Sequence, residues 1–183
     1  MSRVFIVALL ACSVACGSKK DDPTKSNLAA FQSGEPVKFE TLQGFLPDDG
    51  YLTREGWHKS DLTGMALTVP IRGAQASVTL RKDNAEVVVD IVDTVFNQSL
   101  YAPVAAFLAE GFEAKDAKGY KRSITIQNQP AFEEWTSADR TAGLTVLVGK
   151  RYLVHLQATG LPSTDGVKAI ASQINMAKLA DLK

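Results

Sequence analysis

Cysteine is scarce in this 183-residue chain: Cys12 and Cys16 are the only two, four places apart, and none follows them. A domain built from the residues beyond them has no disulfide staple and no cysteine-rich zinc site, so its stability has to come from an apolar core. Histidine is almost as rare. His58 and His155 are far apart in the chain, so no His-x-x-x-His or His-x-His metal spacing exists. Long apolar runs are missing too. The longest, Val4 to Ala15, falls short of the roughly 20 residues needed to cross a bilayer core, and no permanent membrane-spanning helix is expected. Charge of one sign is not in excess: 20 basic residues face 20 acidic ones, with a pI near 6.7. Without a long basic block, nucleic acid is excluded as the main partner. There is no Gly-x-Ser-x-Gly elbow, no Ser-x-x-Lys pair and no glycine-rich phosphate loop. No cofactor and no metal is therefore expected. Catalysis is disfavoured, though scattered residues can still assemble an active site.

What is present begins at the amino end. Arg3 precedes the apolar run, small residues follow, and Cys16 is succeeded by Gly17-Ser18-Lys19-Lys20-Asp21-Asp22. A basic start, a short apolar stretch and small residues have the layout of a secretion signal rather than of a folded element. Ser13-Val14-Ala15-Cys16 resembles the lipobox of bacterial lipoproteins. That resemblance implies that residues 1–15 are a signal peptide, that Cys16 becomes the first mature residue, and that fatty chains, palmitate among them, anchor it to a membrane. Each buried methylene contributes about 0.8 kcal/mol, and several chains hold firmly where one holds only reversibly. Cys12 is the alternative acceptor, because Leu9-Leu10-Ala11-Cys12 matches the lipobox better by residue type. Cleavage there would leave a short leader and start the mature chain on Ser13-Val14-Ala15, so Cys16 is preferred. Ser18, two places on, is not the aspartate that retains enteric lipoproteins at the inner membrane. The resemblance thus implies the outer membrane, facing the periplasm or the cell surface.

Residues 16–38 read as a flexible tether, with Asp21-Asp22-Pro23, Ser33-Gly34 and Glu35-Pro36 and little apolar periodicity. A single domain is expected over 39–183. Phe39, Leu42, Phe45 and Leu46 suggest a short helical or docked segment ended by Pro47-Asp48-Asp49-Gly50. Strands are expected at Met65 to Ile71, Ala76 to Lys82 and Glu86 to Val95, with Asp83-Asn84 as a hairpin turn. A helix is expected from Leu100 or Pro103 to Glu110. Four more strands follow, at Tyr120 to Gln127, Phe132 to Ser137, Leu144 to Val148 and Tyr152 to Ala158. Ser163 would cap a closing helix carrying Val167, Ile170, Ala171 and Ile174 along one face. The fold class is α+β: an antiparallel β-sheet meander of about seven strands with two helices packed on one face. Leu46-Pro47 and Gly56-Trp57 ahead of such a meander resemble the Mog1/PsbP-like group, which includes lipoproteins; no residue of known role carries over.

Strand alternation divides the candidate site residues. Tyr152, Val154 and Leu156 share one face; Leu153, His155 and Gln157 share the other. Asp90 and Asp93 point opposite ways, as do Glu133 and Glu134, so neither pair suits the paired-acid chemistry of glycosidases. Asp93, at a strand end, is expected to hydrogen-bond the chain into Thr94. Arg81-Lys82, Lys121-Arg122 and Lys150-Arg151 read as solubilising pairs that protect sheet edges. The face opposite the helices carries Val88, Val92, Leu147, Leu153 and His155, too apolar for a freely hydrated surface. Either Phe39, Leu42, Phe45 and Leu46 fold across it, or a partner does. The functional expectation is a lipid-anchored cell-envelope binding or accessory module with an envelope protein partner. The alternatives are an envelope enzyme using dispersed residues, such as His155, Asp90 and Tyr152, and an extracytoplasmic ligand carrier or sensor.

Overall fold

The computed structural model describes residues 34–68, 72–95, 107–108 and 111–182. Two short helices, α1 (Phe39–Gln43) and α2 (Asp49–Arg54), lead into β1 (His58–Leu67), β2 (Gly73–Lys82) and β3 (Ala85–Asp93). A second run of strands follows: β4 (Glu113–Asp116), β5 (Gly119–Ile126), β6 (Gln129–Thr136), β7 (Thr141–Val148) and β8 (Tyr152–Thr159). Two more helices, α3 (Asp165–Ala171) and α4 (Met176–Ala180), end the described chain. The architecture is α+β.

All eight strands join one open antiparallel sheet in the order β1-β2-β3-β8-β7-β6-β5-β4. Two meanders thus meet where β3 pairs β8. β2, β3 and β8 alternate between buried and more open residues, while β7 is buried on both faces from Ala142 to Val146. Ala74, Ala76, Val78 and Leu80 of β2 are buried, as are Val87, Val89 and Ile91 of β3. Leu144, Val146 and Val148 of β7 and Tyr152, Val154 and Leu156 of β8 continue the same buried face. The four helices among the described residues all lie on it. α1 and α2 cover β1 and β2, while α3 and α4 cover β7 and β8. Leu42, Leu46, Leu52, Val167, Ile170, Ile174, Met176 and Leu179 join the sheet residues in one cluster. Isolated helices of five to seven residues are not stable in water, so this burial is what holds them.

Several expectations are corrected. Among the described residues the sheet has eight strands, against about seven expected. β4 is the addition, and its four exposed residues have no apolar alternation to announce it. β1 begins at His58, ahead of the expected Met65, and bulges between Ser60 and Thr63, with Asp61 at φ 50°. The N-terminal segment makes two helices rather than one because Asp48 restarts the chain: its Oδ1 accepts from Tyr51 N at 2.9 Å. Phe39, Leu42, Phe45 and Leu46 pack on the helical face, not across the opposite one. Phe39 reaches Gly64 of β1, where even a methyl group would collide with its ring at 2.3 Å. The closing helix divides in two, and Gln127 of the β5–β6 turn bridges the break. Its Nε2 donates to Ile174 O at 2.8 Å, and its Oε1 accepts from Met176 N at 3.2 Å. The helix expected over Leu100 to Glu110 lies outside the described residues except for Phe107 and Leu108, which sit in a turn. Phe107 stacks on Phe132 at 4.8 Å between ring centroids, on the sheet face away from the four helices.

Candidate functional site

The register assembles the face opposite the helices row by row. One row runs Met65, Gln75, Val92, Leu153, Leu147. The next runs Ser77, Asp90, His155, Thr145, Phe132. Val88 lies in the third, beside Gln157. Val88, Val92, Leu147, Leu153 and His155 therefore share a face, and all five are half-buried, neither sealed nor fully open. Phe107 and Phe112 gather over Phe132 at its margin, their rings 5.2 Å apart.

His155 is held within this face. Its Nδ1 lies 2.9 Å from Thr145 Oγ1, and its cross-strand neighbour Asp90 accepts from Gln75 Nε2 at 2.9 Å. Burial lowers the imidazole pKa below its usual 6.5, while the nearby carboxylates of Asp90 and Glu134 act in the opposite sense. An unfolded chain therefore takes up a proton at this histidine at higher pH than the folded one. The histidine's contribution to stability is complete above about 6.5 and is lost as pH falls from there toward the lowered folded value. Melting temperature is expected to fall between about pH 7.5 and about pH 5.5, and His155→Gln to flatten part of that slope. An unaltered slope in His155→Gln would assign the dependence to other groups.

Asp93 and Arg151 form a different kind of group, at the end of the sheet where β3 stops and β8 starts. Both are buried, with Asp93 fully so. Arg151 Nε and Nη2 reach the two oxygens of Asp93 at 2.8 Å each. Asp93 also accepts from Val37 N and Val95 N at 2.9 Å, and Arg151 Nη2 donates to Glu35 O at 3.0 Å. The chain leading into the domain is thus clamped at this end. Thr94 Oγ1 donates to Arg151 O at 2.6 Å, so Asp93 bonds past Thr94 to Val95 rather than to Thr94 itself. Tyr152, beside the clamp, has its phenol pKa pushed up to about 12, first by burial and then by Asp93. It stays neutral and donates to Leu182 O at 3.2 Å, pinning the carboxyl-terminal segment.

Glu133 is fully buried on the helical face, between Arg122 of β5 and Lys168 of α3. Its Oε1 pairs with Arg122; its Oε2 has no hydrogen-bond partner and lies 3.6 Å from Lys168 Nζ. Glu134, on the other face, pairs with Lys121 at 3.0 Å. The reading of the basic pairs as surface solubilisers is thus corrected for Arg151 and Arg122, whose partners are buried carboxylates. Sequence reasoning missed both partnerships, yet a signal existed: Asp93 is in phase with Val87, Val89 and Ile91, and Glu133 with Ala131. His58 is exposed at the start of β1. Cys16 and Cys12 lie outside the described residues.

A cleft of about 480 Å³ opens at the other end of the sheet, between α2 and α3. Three turns build it: the β2–β3 turn at Asp83 and Asn84, the β6–β7 turn at Arg140, and the loop after β8 at Gly160. Gly160 N donates to Arg140 O at 3.1 Å. A side chain at Gly160 would meet Asn84 O at 2.4 Å, and its φ of +78° suits glycine, so only glycine lets these turns close together. A second groove, of about 520 Å³, separates α1 from α4. Neither reaches His155. Among the described residues, no group of three or more histidine, cysteine, aspartate or glutamate side chains could hold a metal. No helix among them is long and apolar enough to cross a membrane.

Compared with models of known protein families, with curated proteins and with solved structures, the chain matches none.

Proposed function

We propose that this protein is a non-catalytic binding module of the bacterial cell envelope, anchored by lipid on Cys16 and working at the outer membrane. The observation that carries the reading is Ser13-Val14-Ala15-Cys16, behind a short apolar run and ahead of a polar tether. The fold is compatible with attachment from that side. Glu35 and Val37 are fixed at the Asp93–Arg151 end of the sheet, so a pull from the tether is met by a buried, four-donor carboxylate. Up to Glu35 the tether spans at most about 60 Å, taking 3.3 Å per residue. His155, Thr145 and Asp90 are the nearest thing to a catalytic row. They favour the alternative of an envelope enzyme only if a substrate reaches them, and both clefts open elsewhere.

The anchor is tested by metabolic labelling with a fatty-acid analogue. Cys16→Ala is expected to abolish labelling and to move the protein from the membrane fraction to the soluble one, while Cys12→Ala retains both. Labelling that survives Cys16→Ala and vanishes in Cys12→Ala would move the anchor site. Labelling in neither background would overturn the reading.

A further inference from the structure

We infer that the cleft at the Asn84 end of the sheet is a binding site for an uncharged carbohydrate. Its size is the first ground, since small-molecule sites commonly run from about 300 to about 1,000 Å³ and this one is about 480 Å³. The lining is the second. Tyr51, Leu161 and Pro162 supply apolar wall, with Trp57, 8% exposed, beside them. Against that wall stand polar groups of both signs. Glu55 and Asp83 carry carboxylates that form no ion pair among the described residues, and the Asn84 amide makes no side-chain hydrogen bond among them. The cations are partly engaged. Lys82 Nζ donates to Glu55 O at 2.7 Å and stands 6.0 Å from the Trp57 ring centroid, and Arg140 Nε donates to Leu161 O at 3.2 Å.

This balance selects the ligand chemistry. An anion would face Glu55 and Asp83, and a cation would face Lys82 and Arg140. An apolar molecule would strip water from five polar side chains and return no hydrogen bond, at a cost for each. A sugar ring resolves the conflict. Its C–H face lies on Tyr51 and Pro162, and its hydroxyls both donate to carboxylates and accept from amide and guanidinium nitrogens. The cleft also sits at the far end of β3 from the clamp, roughly 30 Å away at about 3.3 Å per residue. The inference rests on the binding-module reading for its setting, not on the lipid.

The test uses the full chain in mild detergent with Trp135→Phe, which leaves Trp57 as the only tryptophan reporter. Its emission is followed while the β-1,4-linked disaccharide of N-acetylglucosamine, maltose, inorganic phosphate and choline are added separately. A saturable change with at least one sugar, at a Kd of about 1 mM or tighter, and none with phosphate or choline, is expected. Asn84→Ala and Arg140→Gln, both at exposed turns, are each expected to weaken it at least about tenfold, with Lys115→Ala on β4 as the unchanged control. Circular dichroism checks that each variant folds. Saturation by phosphate or choline instead of sugar, no saturation by any of the four, or sugar binding that ignores both cleft variants would overturn the assignment. Lipid labelling is read separately, so loss of the anchor and loss of the sugar site are distinguishable.

Discussion

Arg151→Met is expected to cost about 3–5 kcal/mol of folding stability, because it leaves a fully buried carboxylate without its cation. Asp93 would retain Val37 N and Val95 N, two neutral donors for a charge that now has four. Asp93→Leu is expected to hurt comparably by the opposite route, taking the counter-charge from a buried guanidinium and the acceptor from both amides. Many buried ion pairs can be exchanged for apolar residues with little loss when both partners go together. This one should not follow that pattern. Asp93→Leu combined with Arg151→Met would leave the Val95 amide, which is buried, and the part-buried Val37 amide without an acceptor, and an orphaned buried donor costs about 1–3 kcal/mol. Urea denaturation of the two single variants and the double variant closes the cycle. A loss below about 1 kcal/mol in Arg151→Met would show that the clamp contributes no more than a surface pair. Limited proteolysis adds a local readout, since the lead-in around Glu35 should become cleavable in both single variants.

Ile170→Ala is expected to cost about 2–5 kcal/mol, the range for emptying a fully packed aliphatic site. Ile170 is 1% exposed and sits on a seven-residue helix that has little stability of its own. Its burial against β7 and β8 is therefore a large part of what keeps α3 folded onto the sheet. Ala169, the preceding residue on the same helix, is exposed, and Ala169→Ser should change stability by no more than about 0.5 kcal/mol. The comparison separates packing from propensity. A shift in denaturation midpoint at constant slope would report a simple loss of core contacts; a lowered slope would report that α3 has already left the native state. If Ile170→Ala and Ala169→Ser behaved alike, the assignment of the inner helix face would fail.

How much of this was readable in the chain depends on the range of the interaction. Alternation from Tyr152 to Ala158 carries the division of β8 into two faces, because a strand's period of two is a property of the backbone. The Gly149-Lys150 turn was equally legible, and both residues adopt positive φ there. β4 was not. Glu-Ala-Lys-Asp has no face to bury, and it becomes a strand only because β5 offers it a free edge. The boundary between α1 and α2 needed the Asp48 cap to be read as a start as well as a stop.

The candidate sites divide in the same way. That Val88, Val92, Leu147, Leu153 and His155 share a face follows from parity once the pairing is known. The cleft was invisible, since Trp57, Asn84, Arg140 and Leu161 come from four separate segments with no common motif. Arg151 looked like one half of an exposed basic pair because nothing local announces a partner 58 residues earlier in the chain.

By itself the amino-acid order determined the mixed class of the fold, the absence of any disulfide beyond residue 16, and the periodicities that bury one side of each central strand. Each of these follows from covalent chemistry or from neighbours a few positions apart. Tertiary structure alone decided that four helices share one face, that Asp93 finds Arg151, and that three distant turns close around a polar cleft. Those outcomes depend on which strands lie side by side, and pairing across the β3–β8 seam is set by the packing of the whole sheet rather than by any segment within it.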